Sequence, residues 1–237
     1  MLLLGPDRPE IRAPGVETIW LPLVRAVPVR GSSLRALEAA RSGRVDTVAF
    51  TSPRAPRLLR EEAESTGTLS KLLSALSSLE AWSVGPSTAE AARRWLGIES
   101  RVPREYRGRA LAREIAESGA RGVLGLRGSR ALPDLGEMLS ASGVRYKEVT
   151  VYMLEPVHRS EALERALRGV DVVLLTSPFI ARLFVEAVRR LPEGLRLAAI
   201  GPTTAGEMER LGLRPACVPS RYVLGEALEC AASLARR

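Results

Sequence analysis

The sequence predicts an α/β protein of two similar domains, each with a parallel sheet flanked by helices, joined by a two-stranded β-ladder hinge. Short β-branched runs alternate with helical patterns along the chain, and this alternation is typical of parallel sheets covered by helices. Two blocks of sequence also occur twice in the same order. Repetition in register indicates an internal duplication.

The first repeated block is VDTVAFTSP at residues 45–53, which is similar to VDVVLLTSP at residues 170–178. The second is VGPSTA at residues 84–89, which is similar to IGPTTA at residues 200–205. Chance readily produces one such pair, but two pairs in the same order favour a duplication. We therefore expect two domains of similar structure.

The number of strands in each repeat assigns the N-terminal segment to the second domain. The first repeat contains five predicted strands and the second only three, so two N-terminal strands remain to complete the second sheet. The predicted domains are then 1–24 plus 155–237, which is discontinuous, and the inserted 25–154. The connecting segments, at about 21–30 and 148–156, are predicted to pair as hinge strands that permit relative domain motion. The predicted strands are 2–4, 17–21, 45–50, 81–84, 98–102, 122–126, 144–152, 170–175, 195–200 and 215–218.

The predicted helices alternate with these strands. They include 87–95, 107–118, 130–142, 178–190, 203–211 and 222–235.

Composition excludes several classes of protein. The 237 residues are 46% hydrophobic and 26% charged, which is typical of globular proteins. Two cysteines are too few for a disulfide framework and lack metal-ligand spacing. No apolar run approaches the ~20 residues of a membrane span, and the first residues lack the basic region of a signal peptide. We expect a soluble, cytoplasmic protein with no metal or membrane partner.

The charge is strongly positive and is carried by arginine. The net charge is +8, with only two lysines, Lys71 and Lys147, among 35 basic residues. Arginine suits carboxylate or phosphate ligands, although a GC-rich genome produces the same ratio and is the favoured cause. The absence of Asn and Gln fits a hot habitat. Aromatic residues are 4% of the chain without basic–aromatic interleaving, so no nucleic-acid partner is expected.

The repeated motifs lie where strands end and helices begin. Ser52 and Ser177 are predicted N-caps followed by proline at the first helical position. Helix N-termini at the carboxyl ends of parallel strands favour anions. Capping alone explains any single motif, but the duplicated set and the arginine excess make anion binding an equal alternative. The other hydroxyl residues predicted in first helical turns are Ser87, Thr88, Thr203 and Thr204.

Three further features bear on function. Residues 125–130 (GLRGSR) form a weak phosphate-like loop that contains Arg127. Tyr152 ends a predicted hinge strand, where its phenol can donate a proton or simply be half-buried. His158 is the only histidine and has no nucleophile elbow beside it. Fingerprints of ATP, dinucleotide and metal binding are missing from the sequence, so no cofactor is expected.

Six segments together resemble the uroporphyrinogen-III synthase family, in the family's order and over most of the chain. The resemblance implies two similar α/β domains, one of them discontinuous, with the active site between them. One departure is at the N-terminus, where the family often has Thr-Arg after the first strand and this chain has residues 5–8 (GPDR). The segments are 50–55 (FTSPRA), 84–89 (VGPSTA), 126–128 (LRG), 149–152 (VTVY), 175–178 (LTSP) and 200–205 (IGPTTA).

The resemblance further implies a cofactor-free cyclising lyase of tetrapyrrole biosynthesis. Hydroxymethylbilane loses its hydroxyl as water, ring D is inverted, and the ring closes as uroporphyrinogen III. On this analogy Tyr152 assists departure of the hydroxyl, and the substrate's eight carboxylates are bound by polar groups of both domains. We expect a monomer. The implied substrate-binding residues are Ser52, Arg54, Ser87, Thr88, Arg127, Ser177, Thr203 and Thr204.

Two alternatives stay open at this level. One is a non-catalytic regulatory module of the same fold that binds a tetrapyrrole or another polyanion. The other is a two-domain solute-binding or sugar-phosphate protein, and the missing signal peptide counts against a solute binder.

Overall fold

The computed structural model describes residues 1–9, 11, 15–188 and 190–235. They form two compact units, unit 1 with Met1–Arg25 and Glu155–Arg237, and unit 2 with Ala26–Leu154. Within the described ranges, no helix combines the length and the apolar character needed to cross a bilayer.

The elements alternate along the chain as expected for parallel sheets. The strands are β1 (Leu2–Leu4), β2 (Ile19–Leu21), β3 (Val24–Pro28), β4 (Thr47–Phe50), β5 (Glu80–Ser83), β6 (Gly122–Gly128), β7 (Arg145–Pro156), β8 (Val172–Leu175), β9 (Arg196–Ala199) and β10 (Pro215–Cys217). The helices are α1 (Ser32–Arg41), α2 (Arg54–Ser65), α3 (Leu69–Leu76), α4 (Pro86–Leu96), α5 (Gly108–Glu117), α6 (Asp134–Ala141), α7 (Ser160–Leu167), α8 (Pro178–Ala187), α9 (Pro202–Arg210) and α10 (Leu224–Ala235).

The sheet of unit 1 has five strands in the order β10-β9-β8-β1-β2. β1 lies between β2 and β8, and Leu3 pairs in parallel with Trp20 on one side and Leu174 on the other. Leu3 and Leu174 pack with Leu228 of α10 in a buried apolar cluster. The prediction that the two N-terminal strands complete a five-stranded sheet is confirmed.

The sheet of unit 2 has the order β3-β7-β6-β4-β5. β5, β4, β6 and β7 are parallel to one another, and Phe50 at the end of β4 pairs with Ser83 and Leu126. Phe50 is fully buried in the larger of the two clusters that cover this sheet. Every residue of β6 is buried, because this central strand has helices over both faces.

The strand predicted at residues 98–102 is wrong. Arg101 makes only an isolated bridge to Trp82, with Ser83 N donating to Arg101 O and Arg101 N donating to Ala81 O. Pro103 follows directly after residue 102 and has no N–H to continue the ladder. The fifth strand of unit 2 is instead β3.

β3 and β7 contain the two places where the chain passes from one unit to the other. Val29 N donates to Val151 O at 2.9 Å, and Val157 N donates to Leu23 O at 2.8 Å. From Leu23 to Val29 the residue numbers rise through β3, while those of their partners fall from 157 to 151 through β7, so the two strands are antiparallel.

Two helix boundaries also differ from the prediction. α6 begins at Asp134, not at residue 130, because Pro133 occupies its capping position. α8 ends at Ala187, earlier than residue 190, and residue 189 of that prediction lies outside the described residues. The structure also pairs Cys217 of β10 with Cys230 of α10 in a disulfide, which the cysteine count did not predict.

Candidate active site

Both repeated motifs lie at the carboxyl-end edge of their own sheet. In unit 2, β4 leads into α2 and β5 leads into α4, and in unit 1, β8 leads into α8 and β9 leads into α9. The carboxyl ends of parallel strands meet at one edge, where ligands bind in open α/β sheets. Each unit therefore gathers two polar helix N-termini at one edge.

The two Thr-Ser-Pro motifs differ in detail. Ser177 is the N-cap of α8 as predicted, and its hydroxyl accepts a hydrogen bond from Ile180 N at 3.2 Å. In unit 2 the N-cap of α2 is Pro53, so the prediction that Ser52 occupies this position is wrong. Ser52 lies one residue earlier, where its hydroxyl accepts a hydrogen bond from Arg54 N at 3.2 Å.

The hydroxyl of Ser52 has a second partner. The phenol of Tyr152 donates a hydrogen bond to Ser52 Oγ at 2.9 Å. Tyr152 is only 6% exposed and belongs to the main apolar cluster of unit 2. The phenol is therefore held in one orientation by packing and by a hydrogen bond at the carboxyl-end edge of the sheet.

Gly128 provides the space for the Tyr152 ring. A Cβ atom at Gly128 would lie 2.4 Å from Tyr152 Cζ and 2.7 Å from its phenol oxygen. Gly128 pairs with Tyr152 after a register shift in the β6–β7 ladder. Sequence reasoning includes this glycine only as part of a motif and misses its role, which depends on the shifted register.

The two Gly-Pro helices begin in the same way. Gly85 and Gly201 are the N-caps of α4 and α9, both with extended backbone, and proline follows at the first helical position. The hydroxyl residues after each proline divide by exposure. Ser87 and Thr203 are exposed, whereas Thr88 and Thr204 are buried.

Arg127 lies inside unit 2. Its side chain is 4% exposed and pairs with Glu148 at 2.8 Å. The guanidinium also donates to the Tyr146 hydroxyl at 3.4 Å and to the Leu132 carbonyl, which ties β6 to β7 and to the loop before α6. Burial raises the pKa of Tyr146, outweighing the opposing effect of Arg127. These contacts give Arg127 a structural role, and its predicted role in substrate binding stays a prediction.

The described residues include no group of three or more His, Cys, Asp or Glu side chains that could hold a metal ion. The chemistry offered by the two edges consists of hydroxyls, backbone N–H groups, arginine and one fixed phenol.

Comparison with known proteins identifies the family. The family model described as "Uroporphyrinogen-III synthase HemD" matches residues 8–229. The chain belongs to the uroporphyrinogen-III synthase family. Among curated proteins, a protein named uroporphyrinogen-III synthase from Chlorobaculum parvum is 27% identical over 223 residues, which cover 90% of this chain and 87% of that relative.

Solved structures of uroporphyrinogen-III synthases have the same fold. The structure of the protein from Helicobacter pylori matches with a TM-score of 0.70 and 19% identity, covering 98% of both chains. A mutant of the protein from the extremely thermophilic bacterium Thermus thermophilus matches with a TM-score of 0.58 and 21% identity, covering 91% of this chain and 88% of that one.

Proposed function

We propose that this chain catalyses the uroporphyrinogen-III synthase reaction on hydroxymethylbilane, with loss of the terminal hydroxyl as water, inversion of ring D and closure to uroporphyrinogen III. The observation that carries the assignment is the family match over residues 8–229. The reaction is a cyclising lyase step of tetrapyrrole biosynthesis. Because the same bilane closes spontaneously to the type I isomer, the protein's main task is to hold the chain in the inverted geometry.

Tyr152 is proposed as the proton donor to the departing hydroxyl. Its phenol is oriented by Ser52 at 2.9 Å and backed by the buried cluster of unit 2. A phenol carries one O–H group and can act as a donor to a leaving hydroxyl. When substrate binds, the phenol O–H turns from Ser52 to the bilane hydroxyl. The C–O bond breaks, the phenol proton completes the leaving water, and the pyrrole nitrogen stabilises the resulting cation. The proton that ring closure releases from the attacked pyrrole carbon then returns to the phenolate.

The carboxylates of the substrate are proposed to bind at the helix N-termini of both units. Ser87 and Thr203 are the exposed hydroxyls there, and Ser177 caps α8. Each charge-assisted hydrogen bond contributes about 1.5–3 kcal/mol, so several suffice without any one being indispensable. Further groups at these N-termini are Ser52 and Arg54, where α2 begins, and the buried Thr88 and Thr204 of the two Gly-Pro turns.

We expect the chain to act as a monomer in the cytoplasm. Its net charge of +8 suits a substrate with eight carboxylates.

Product analysis tests the assignment. Freshly made hydroxymethylbilane is incubated with the protein, hot and at room temperature, the products are oxidised, and type I and type III uroporphyrin are separated by chromatography. A dominant type III peak that grows with protein concentration is the expected result. Only type I, as in a protein-free control, would overturn it and favour the non-catalytic binding module.

A further inference from the structure

Two tyrosines are exposed, and they are the only exposed Phe, Trp or Tyr side chains among the described residues. The chain has three Phe, three Trp and four Tyr, all of them within the described ranges. Tyr106 is 60% exposed and Tyr222 is 51% exposed. An exposed aromatic ring does not contribute the favourable free energy of burial to folding. In a chain with so few aromatic residues, two exposed rings therefore suggest a binding function.

The two tyrosines occupy matching positions of the internal repeat. Tyr106 lies in the segment 102–106 (VPREY) and Tyr222 in the segment 218–222 (VPSRY). Each follows the glycine of its Gly-Pro helix by 21 residues and precedes the next helix, α5 or α10, by two. The internal repeat therefore extends past the second repeated block, at residues 84–89 and 200–205, as far as these tyrosines.

Both rings are anchored in the same way. A Cβ atom at Gly85 would lie 3.4 Å from Tyr106 Cβ, and one at Gly201 would lie 3.2 Å from Tyr222 Cβ and Cγ. Since both glycines have extended backbone, which any residue adopts, the close approach of the tyrosine is the local reason for glycine. The base of each tyrosine is thus fixed against a helix N-cap, while the rest of the ring faces solvent.

Arginines lie beside both rings: they outnumber the adjoining Glu105 around Tyr106, and one forms an ion pair beside Tyr222. Arg104, Arg107 and Arg109 flank Tyr106 and are all exposed, and Arg221 adjoins Tyr222, where it pairs with Glu226. A fixed aromatic face beside arginines and a helix N-terminus suits a ligand that combines flat π-systems with carboxylates.

We propose that Tyr106 and Tyr222 are substrate-binding residues whose rings stack on pyrrole rings of the bilane, while the adjoining Gly-Pro helix N-termini bind carboxylates of the same rings. This inference rests on the proposed function. Stacking of flat rings on aromatic side chains contributes enough to change affinity by about fivefold or more for each ring.

The test compares Tyr106→Leu and Tyr222→Leu with Tyr106→Phe and Tyr222→Phe. Each Leu variant is expected to raise the KM for hydroxymethylbilane about fivefold or more, with kcat within about twofold and Tm within about 2 °C. Each Phe variant keeps the ring and is expected to stay within about twofold of the wild type. Ile19→Ala removes another exposed apolar side chain, at the start of β2, and should change neither parameter.

Three results would overturn the inference: an unchanged KM in both Leu variants, Phe variants as impaired as the Leu variants, or a KM rise that follows a loss of Tm. A second readout separates this failure from failure of the proposed function. The Kd for uroporphyrin III, an octacarboxylate whose four rings are joined in a flat, oxidised macrocycle, is measured by fluorescence titration. A wild type that makes no type III product refutes the catalytic assignment, whereas Leu variants that bind uroporphyrin III as tightly as the wild type refute the stacking role.

Discussion

The phenol of Tyr152 donates a hydrogen bond to the hydroxyl of Ser52 at 2.9 Å, across 100 residues of sequence. Tyr152 lies on β7 and Ser52 follows β4, and β6 runs between these two strands in the sheet. The ring therefore crosses over β6, and it does so at Gly128, where no side chain stands in its way. One serine and one glycine together fix the direction of the proposed proton donor.

Removing the Tyr152 phenol is expected to lower turnover more than removing the Ser52 hydroxyl. Tyr152→Phe deletes the donor, and because general acid catalysis contributes at least about 100-fold, kcat should fall by more than about tenfold. Ser52→Ala keeps the phenol but removes the hydrogen bond that orients it, so we expect kcat to fall by about three- to tenfold. Initial rates of type III formation measure both effects.

The double variant is the control for this pair. If Ser52 acts by orienting the phenol, Ser52→Ala should cost almost nothing in the Tyr152→Phe background, because interacting residues are not additive. If the fold-loss of kcat in the double variant equals the product of the two single losses, Ser52 acts independently of the phenol. A Tyr152→Phe variant within about threefold of wild-type turnover would contradict the proton-donor role and leave positioning as the source of catalysis.

Gly128→Ala should impair catalysis by displacing Tyr152. The new methyl group would lie 2.4 Å from Tyr152 Cζ, and overpacking of this kind costs about 1–3 kcal/mol of stability. The matched control is Gly125→Ala on the same strand, where the added Cβ would lie 2.3 Å from the Tyr146 hydroxyl instead.

Both glycine variants should lower Tm to a similar extent, measured by thermal unfolding. Only Gly128→Ala should lower kcat by more than about tenfold at a temperature where both are folded. Equal activities of the two variants would show that the position of the Tyr152 ring is not important for the reaction.

The features that could be predicted from the sequence are those that depend on residues close together along the chain. The Thr-Ser-Pro and Gly-Pro motifs combine strand ends with helix starts, so residues such as Ser177 and Thr203 are placed at a sheet edge by the order of elements alone. The discontinuous sheet was predicted from the strand count, and Leu2–Leu4 does lie beside β8 in the sheet of unit 1, although the count for the first repeat included 98–102, which is not a strand.

The features it could not find depend on the register between distant strands. The segment 125–128, with Arg127 between two glycines, looks like an anion-binding loop, yet the partners of Arg127, Tyr146 and Glu148, lie 19 and 21 residues away on β7. Which side chains face each other there is set by the β6–β7 pairing, which no local pattern specifies. The same limit hid the contact of Tyr152 with Gly128.

The disulfide between Cys217 and Cys230 should stabilise unit 1. It closes a loop of 13 residues between β10 and α10, and loops of about this size contribute about 3 kcal/mol. For a chain of this length the corresponding Tm change is about 6–12 °C. Disulfide-rich proteins are common in hyperthermophiles, which agrees with a sequence that contains no Asn or Gln.

The measurement is thermal unfolding with and without dithiothreitol. The reductant should lower the Tm of the wild type and leave a Cys217→Ser/Cys230→Ser variant unchanged at the lower value. Two titratable thiols in the freshly purified, unreduced protein, with a Tm insensitive to reductant, would show that the cysteines are not paired.

Asp46 should make the stability of unit 2 depend on acidity. Its carboxylate accepts hydrogen bonds from Arg121 N at 3.1 Å, Arg121 Nε at 3.1 Å and Gly122 N at 3.3 Å. Burial acts to raise the pKa of Asp46, but the hydrogen bonds from Arg121 and Gly122 outweigh it, and the pKa lies below its ordinary value. A carboxyl group with a lowered pKa in the folded state stabilises the fold when it is ionised.

The contribution of Asp46 is therefore complete above its unfolded pKa of about 3.9 and is lost as the pH falls through the lower folded pKa. In urea unfolding, the stability difference between the wild type and Asp46→Asn should be constant from about pH 7 to about pH 5 and shrink below about pH 4. Arg121→Ala keeps the backbone N–H donors of residues 121 and 122 and should remove only part of the pH dependence. A difference that does not change down to about pH 2 would mean that the charge of Asp46 adds nothing to the stability of the fold.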